Sequence, residues 1–294
     1  MKRLALLFLL SVCISGVVAA QRKPIPRIRY GSNPAAGKTF VHDGVRLYYE
    51  VYGTGEPLLV VHGNGGTIAD LSAQIAYFRT RYKVIAMDSR DHGRSADSDS
   101  RITYEKMTDD LAALLDHLKV GPVNVLGWSD GGIEALLLGI RHPQKVKKIA
   151  AMAANLTPGE EALEPEIINL IKSMVSEGTA DQREKPERRR EIKVASMMLI
   201  EPNINFKQLE NIKAPTLVLA ADHDAIRVKH TVEIYLHIPN SQLVIFPGAT
   251  HLIPFDDPAL FNATVQRFLQ TPFRKVEMLN DTLKSLERLR TAHQ

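Results

Sequence analysis

The amino-acid sequence predicts an α/β protein built on a mainly parallel, doubly wound sheet with helices on both faces. From Pro57 onward, short apolar runs rich in β-branched residues alternate with longer stretches of helical spacing. The connections between these segments are short, which is typical of parallel strands joined by crossover helices. The chain of 294 residues is 45% hydrophobic and 24% charged, so it can bury a sizeable core around such a sheet.

Eight runs are predicted as strands. The first two form a hairpin, because Asp43-Gly44 is a turn dipeptide between two strand-like segments. The other six are short apolar runs of the kind that is buried on both faces of a sheet. The predicted strands cover residues 39–42, 46–52, 58–61, 84–87, 123–126, 146–152, 216–220 and 243–246. Among the intervening segments, residues 104–118 show clear helical spacing of leucines.

The strand–helix alternation is interrupted once. Between Asn155 and Ala214 no strand is predicted, but two amphipathic helical stretches lie near residues 160–176 and 188–199. A segment of this length inside a compact domain is typical of a functional insertion. We therefore predict a core of residues 38–155 and 214–270, with residues 156–213 forming a small helical cap over the site.

Two further segments flank this core. Residues 21–37 are predicted as an extended lead-in, since Pro, Gly and basic residues are frequent there. Residues 271–294 carry Val276, Leu279, Leu283 and Leu286 at helical spacing, which predicts a C-terminal helical extension. We expect this helix to pack on the body; a helix that binds a partner is the alternative.

Residues 1–20 have the three regions of a cleaved secretory signal peptide. Lys2 and Arg3 precede an apolar run, and small residues at 18–20 precede Gln21. We therefore predict export, to the periplasm or the medium. The alternative is an uncleaved leader that anchors the protein in a membrane, because basic residues follow the apolar run immediately.

Composition argues against several function classes. The only cysteine is Cys13, so a mature chain that starts near Gln21 has no disulfide, thiol nucleophile or cysteine metal site. The formal charge of +4 is small, and the basic run 188–190 lies among glutamates, so no nucleic-acid partner is expected. Asp88, Asp91 and His92 lie close together but lack the spacing of a metallohydrolase site, so no metal is expected there.

The strongest chemical motif is Gly127-Trp128-Ser129-Asp130-Gly131. It follows the predicted strand 123–126 and precedes a helical run over 133–140, which is the context of a G-x-S-x-G nucleophile elbow. The serine of such an elbow sits on a strained strand-to-helix turn, so the flanking glycines allow the chains to approach closely. Ser129 is therefore the predicted nucleophile.

A serine hydroxyl needs a base to take its proton, and the base needs a group that orients it. His251 lies in the loop after the last predicted strand, outside any helical or apolar run. The orienting acid is expected after strand 216–220, where both Asp222 and Asp224 stand. Spacing alone does not choose between them, and His223 competes with His251 only because it neighbours them.

An oxyanion hole requires two backbone N–H groups. The residue after the nucleophile, Asp130, is expected to supply one of them. The second is expected from the glycine-rich loop His62-Gly63-Asn64-Gly65-Gly66 after strand 58–61, most plausibly from Asn64. We interpret His62 as structural.

Over about residues 38–270 the sequence resembles the α/β-hydrolase superfamily, in its branch of small esterases, lactonases and haloperoxidase-like enzymes. The His62–Gly66 loop, the 88–95 segment, the elbow, residues 215–224 and Gly248–His251 match in order. The resemblance implies Asp224 as the acid and a cofactor-free Ser129–His251–Asp224 triad. Asp91 departs from the family pattern, which usually has glycine there.

The elbow is also similar to that of valacyclovir hydrolases, which cleave amino-acid esters. This resemblance makes the Asp130 carboxylate a candidate to bind a substrate cation near the scissile carbonyl. The alternative is an acid that only interacts with the dipole of its own helix, worth about 0.3–1 kcal/mol.

These observations predict hydrolysis of a small-molecule carboxylic ester through an acyl-enzyme. Lactone opening, C–C bond hydrolysis and perhydrolysis on the same triad are alternatives. A non-catalytic ligand-binding protein of the same fold is the alternative from another class, but such proteins typically lose a triad member.

Overall fold

The computed structural model describes residues 28–96 and 101–291. The predicted signal peptide and the first part of the predicted lead-in lie outside the described residues. No helix in the described ranges is long and apolar enough to cross a membrane.

Within these ranges one eight-stranded sheet forms, with the strand order β1-β2-β4-β3-β5-β6-β7-β8. The first two strands form the predicted hairpin, and β2 joins β4 in antiparallel fashion, whereas all later pairs are parallel. The predicted fold class is confirmed. The strands are β1 (Gly37–His42), β2 (Val45–Tyr52), β3 (Glu56–Val61), β4 (Tyr82–Met87), β5 (Val123–Trp128), β6 (Val146–Met152), β7 (Thr216–His223) and β8 (Ser241–Thr250).

Helices cover both faces of the sheet. The helices of the described residues are α1 (Ser72–Phe78), α2 (Tyr104–His117), α3 (Asp130–Arg141), α4 (Pro165–Ser176), α5 (Ala180–Arg183), α6 (Pro186–Met197), α7 (Phe206–Leu209), α8 (Val228–His237), α9 (Ile253–Asp256), α10 (Pro258–Gln270) and α11 (Met278–Thr291). A short 3-10 helix, Pro143–Lys145, precedes β6.

The central strands bury both of their faces, and successive side chains of a strand point to opposite sides. In β3, Leu59 and Val61 join the core formed with α2 and α3, whereas Leu58 and Val60 join the core formed with α1 and α10. Each fully buried aliphatic side chain contributes roughly 1.5–3 kcal/mol to the hydrophobic stabilisation. This two-sided burial explains why the predicted strands are short apolar runs rather than alternating ones.

The last two strands extend beyond their predicted ends. β7 continues to His223 and β8 to Thr250, where these two residues are paired. Their final residues are polar and exposed, so hydrophobicity alone could not detect them. The extension matters because it holds the segments that follow β7 and β8 side by side at the carboxyl edge of the sheet.

The insertion between β6 and β7 contains α4 to α7, where two helical stretches were predicted. A capping box between Thr179 and Gln182 begins the short α5, and Pro186 begins α6 as a separate helix. A second capping box at Asn205 begins α7. Few residues of α4 and α6 are buried, and they include Ile171, Val194 and Met197.

The C-terminal segment forms α11, but no residue of this helix is buried. Leu279, Leu283 and Leu286 are all about half exposed or more. The expected packing of α11 on the body is therefore wrong. The segment before α11 is fixed to the body instead, because the ammonium of Lys148 donates to the carbonyls of Phe268, Leu269 and Thr271.

Candidate active site

Ser129 stands on the turn between β5 and α3. Its backbone has φ 56° and ψ −119°, a conformation that side-chain-bearing residues rarely adopt and that costs on the order of 1–3 kcal/mol. The Ser129 N–H donates to the Met152 carbonyl on β6 at 2.9 Å, which holds the turn against the sheet. This turn separates the side chain from both β5 and α3 and presents it at the carboxyl edge.

The glycines of the motif are required by close chain contacts. A Cβ on Gly127 would lie 1.9 Å from the Gly131 carbonyl oxygen, and a Cβ on Gly131 would lie 2.2 Å from the Val61 carbonyl oxygen. No side chain fits at either position without moving backbone. The structure thus gives the physical reason for the G-x-S-x-G spacing around Ser129.

Three predicted side chains meet at this edge. The Ser129 hydroxyl lies 3.0 Å from His251 Nε2, and His251 Nδ1 lies 2.6 Å from Asp224 Oδ1. Because a carboxylate only accepts, Nδ1 carries the proton and Nε2 is free to accept from the serine hydroxyl. The arrangement is therefore able to remove a proton from Ser129.

The two aspartates at the carboxyl end of β7 make different contacts. The Asp224 side chain is buried, and its oxygens also accept from the Ala221 and Ile226 N–H groups. Asp222 instead accepts from the N–H groups of Gly248 and Ala249, at 2.8 and 3.1 Å. The Gly248 hydrogen bond is the main cause that lowers the pKa of Asp222. The contact with His251 is thus made by Asp224, and Asp222 fastens the loop that carries His251.

The imidazole is also held from the elbow side. Trp128, the residue before the nucleophile, donates its indole N–H to the His251 carbonyl at 2.9 Å, and the two rings lie 5.4 Å apart. The other predicted rival, His223, has a side chain that is 76% exposed and lies near Asp222 rather than Ser129.

The loop after β3 lies directly against the nucleophile. A Cβ on Gly63 would approach Ser129 Cβ to 3.0 Å and the Trp128 ring to 2.8 Å. The next residue, Asn64, is therefore beside Ser129, and its side chain contacts Asp130 at the start of α3. The structure brings together both residues that were predicted to supply oxyanion-hole amides.

The Asp130 carboxylate is turned into the protein and is only 4% exposed. It accepts from the Asn64 side-chain amide at 2.8 Å and from the Tyr104 hydroxyl. Burial, opposed by these two donors, raises the pKa of Asp130 to about 6. Its predicted contact with a substrate cation stays a prediction.

Sequence reasoning missed the role of the Asn64 side chain. Its amide donates to Asp130 and also to the Val194 carbonyl of α6 at 3.2 Å, so it joins the elbow to the insertion. Lys193, also on α6, makes an ion pair with the buried Asp91 carboxylate at 3.1 Å. Both contacts join segments far apart in the chain, so no local pattern could have indicated them.

The segment after β4 is a structural support. The Asp88 carboxylate accepts from the Ile68 and Arg94 N–H groups, and His62 Nε2 accepts from the Ser89 N–H. Asp91 has φ 61°, which explains why the family pattern has glycine at this position. In the described part of the chain no cluster of three metal-ligating side chains forms.

A cavity of about 500 Å³ lies between α6 and the loops that follow β3 and β4. Asn64 and Gly65 border it on the elbow side, and His92 borders it on the side of the β4 loop. α6 closes it with Arg190 and Val194. The cavity therefore starts at the predicted oxyanion loop and extends beneath the insertion.

The chain is similar to known hydrolases along most of its length. A profile of the alpha/beta hydrolase fold matches residues 56–199. The serine hydrolase BPHL of Mus musculus is 26% identical over 291 residues, which cover 89% of this chain and 95% of that protein. The 3-oxoadipate enol-lactonase 2 of Acinetobacter baylyi is 25% identical over 267 residues, covering 79% of this chain and 96% of that protein.

A solved structure gives the same result for the fold. The enol-lactonase from Burkholderia xenovorans LB400 matches with a TM-score of 0.68 at 22% identity, covering 80% of this chain and all of that one. The residues matched by the family profile include the motif around Ser129. The chain belongs to the α/β-hydrolase superfamily.

Proposed function

We propose that this protein is a serine hydrolase that cleaves a small-molecule carboxylic ester through an acyl-enzyme intermediate. The observation that supports it most is the unbroken hydrogen-bonded path from Ser129 Oγ through His251 to Asp224, at 3.0 and 2.6 Å. No cofactor is needed for this chemistry.

In the first half-reaction the Ser129 oxygen attacks the ester carbonyl while His251 Nε2 takes the hydroxyl proton. The carbonyl π electrons move to oxygen, and the N–H groups of Asn64 and Asp130 bind the resulting oxyanion. Asp224 holds the imidazole in the required tautomer and stabilises the imidazolium. Collapse of the tetrahedral intermediate expels the alcohol, which takes its proton from His251.

In the second half-reaction a water molecule replaces the alcohol. His251 accepts a water proton as the oxygen attacks the acyl-enzyme, and it returns that proton to Ser129 as the acid leaves. The position of Ser129 at the start of α3 supports both steps, since the positive end of the helix dipole favours the developing negative charge.

A lactone is the main alternative substrate, and the similarity to an enol-lactonase supports this alternative. Lactone opening uses the same bond changes, except that the leaving hydroxyl stays attached to the acyl group. C–C bond hydrolysis and perhydrolysis on the same triad differ in the shape of the pocket. The non-catalytic alternative is disfavoured by the intact Ser129–His251 contact.

Pre-steady-state kinetics tests the proposal. A short p-nitrophenyl ester mixed with full-length protein should release a rapid burst of about one nitrophenolate per active site when deacylation is slower than acylation. Ser129→Ala should fold normally, give no burst and lose several orders of magnitude in turnover. Equal turnover by the purified variant would remove Ser129 from the mechanism.

We also propose that the protein is exported and begins near Gln21 after cleavage of its leader. N-terminal sequencing of the protein from the exported fraction tests this. An intact leader on membrane-bound protein would contradict it and favour the anchor.

A further inference from the structure

The loop after β3 makes a tight turn beside the nucleophile. Residues 63–66 form a β-turn, which the Gly66 N–H closes by donating to the Gly63 carbonyl at 3.0 Å. Gly65, the third residue of this turn, has a φ of 65°, the conformation that a type II turn requires there. A Cβ on Gly63 would lie 3.0 Å from Ser129 Cβ, so the peptide bond that follows Gly63 is close to the reacting hydroxyl.

The peptide bond between Gly63 and Asn64 is held by its carbonyl. Besides the Gly66 N–H, this carbonyl accepts from His62 Nδ1 at 2.8 Å; the proton is on Nδ1 because Nε2 accepts from the Ser89 N–H. In a planar trans peptide the N–H points away from the carbonyl, so the Asn64 N–H points away from His62 and from the turn. This N–H has no hydrogen-bond partner among the described residues, as expected of a donor that binds an oxyanion.

The side chain of Asn64 fixes the turn at a second point. A primary amide has two N–H bonds, and Asn64 Nδ2 donates to the Asp130 carboxylate at 2.8 Å and to the Val194 carbonyl at 3.2 Å. A hydrogen bond to a carboxylate is stronger than one between neutral groups. Asp130 begins α3, so this contact joins the two residues whose backbone N–H groups are expected to bind the oxyanion.

Both acceptors are fixed by their surroundings. The Asp130 carboxylate also accepts from the hydroxyl of Tyr104, which is buried. Val194 is buried too and lies in the last turn of α6, where the Met198 N–H donates to a different carbonyl. The Val194 carbonyl is thus one of those that a helix end leaves without an internal partner, and the side chain of Asn64 supplies that partner.

We infer that Asn64 is a positioning residue through its side chain, which joins the Asp130 carboxylate to the Val194 carbonyl of α6 and thereby aligns the Asn64 backbone N–H with the oxyanion. The inference rests on the hydrolase function proposed above. Each half-reaction passes through an oxyanion at the same position, so the alignment stabilises both transition states. It also makes the oxyanion hole depend on the position of α6, a helix of the insertion.

Kinetics of the full-length protein on a short p-nitrophenyl ester tests the inference, because Asn64→Ala removes both side-chain contacts and keeps the backbone N–H. We expect this variant to lower kcat and kcat/KM alike, by about 10- to 100-fold, which is less than the roughly 10²–10³-fold that loss of a whole donor costs. KM should change little, because the lost interaction acts only in the transition state. The control is Thr67→Ala in the same loop, whose hydroxyl donates to Asp70 at the surface, and it should leave kcat unchanged.

An exchange of the two side chains identifies the acceptor. Asn64→Asp alone brings together two carboxyl groups that repel each other when ionised, so kcat should fall further than in Asn64→Ala. Adding Asp130→Asn restores an N–H···O hydrogen bond in the opposite direction and should raise kcat about tenfold or more above Asn64→Asp. Recovery should be partial, since the exchanged pair has no donor for the Val194 carbonyl. Thermal unfolding confirms that each variant is folded at the assay temperature.

The outcomes separate this inference from the proposed function. Unchanged kcat in Asn64→Ala overturns the inference, and so does a loss confined to KM, which would indicate that the side chain binds substrate. An exchanged pair that is no more active than Asn64→Asp overturns it as well. If wild type hydrolyses no ester, the proposed function fails, and crystal structures of wild type and Asn64→Ala then decide the inference. A turn at 63–66 that is displaced from Ser129 in the variant supports it, and a turn that keeps its position overturns it.

Discussion

The carboxyl edge of the sheet and the insertion between β6 and β7 hold their residues in different ways. At the sheet edge, Ser129 and Asp224 follow β5 and β7, whose apolar side chains are almost wholly buried, and His251 follows β8, in which Phe246 is buried. In the insertion, α4 buries only Ile171 among its described residues, and Leu170 is 55% exposed. The proposed catalytic residues thus lie on a deeply buried part of the fold, whereas α4 is lightly packed.

Polar contacts join α6 to the loops after β3 and β4, while its Val194 and Met197 belong to the apolar core formed with α2 and α3. Asn64 donates to the Val194 carbonyl, and Lys193 pairs with Asp91. We therefore expect substitutions at the sheet edge to affect every substrate alike, and substitutions in the insertion to affect substrates unequally. The following variants test this difference.

The largest expected effect is at the acid. Asp224→Asn should lower kcat by about 10⁴-fold, because the amide favours the wrong imidazole tautomer while keeping the geometry. Asp222→Asn should cost about tenfold at most, since it loosens only the end of β8 at Gly248 and Ala249. Steady-state kinetics on one p-nitrophenyl ester measures both. Equal losses, or the reverse order, would show that Asp224 does not orient His251.

The next largest effect concerns the free energy of unfolding, which should depend on how tightly each region is packed. Leu219→Ala removes a fully buried side chain from β7 and should lower the free energy of unfolding by about 2–5 kcal/mol. Leu170→Ala, in α4, should change it by about 0.5 kcal/mol or less. Urea unfolding measures both values. Similar losses would mean that the insertion is packed as firmly as the sheet.

Asp130→Asn should change stability in a pH-dependent way. Burial raises the pKa of Asp130 from 3.8 to about 6, so ionisation of this group destabilises the fold as pH rises through that range. The cost is absent below about pH 4 and complete above about pH 6. Relative to wild type, the variant should gain up to about 3 kcal/mol between pH 4 and pH 8 in urea unfolding. A difference that is the same at both pH values contradicts this.

The smallest expected effect concerns a cationic substrate. If the Asp130 carboxylate binds a substrate cation, Asp130→Ala should lower kcat/KM for an α-amino ester about tenfold more than for its N-acylated counterpart. That selectivity should weaken at high salt. Parallel losses on both esters would leave Asp130 as a buried acid that only holds Asn64 and the first turn of α3.

The predictability of each residue follows from the range of its interactions. The elbow around Ser129 could be predicted from the local sequence pattern, because its strand, turn and helix are consecutive in the chain. The choice between Asp222 and Asp224 depends on how the segments after β7 and β8 face each other, and spacing left it open. The resemblance to the family indicated Asp224, the residue that contacts His251.

Long-range polar contacts were beyond prediction. The Asn64 bridge depends on how α6 lies over the loops after β3 and β4. The arginine run 188–190 was used only to argue against a nucleic-acid partner, yet Arg188 and Arg190 line the cavity. The α11 helix itself was predicted, but its leucines stay exposed, since periodicity indicates a helix and not what covers it.

The most direct test of the central claim is covalent labelling of the full-length protein by a fluorophosphonate, which reacts only with an activated serine. We predict stoichiometric labelling, with the adduct on the peptide that contains Ser129, and its loss in Ser129→Ala and His251→Ala. Asp222→Asn should still be labelled. Absence of labelling in wild type, or an adduct on another serine, would contradict the proposal that Ser129 and His251 form the catalytic pair.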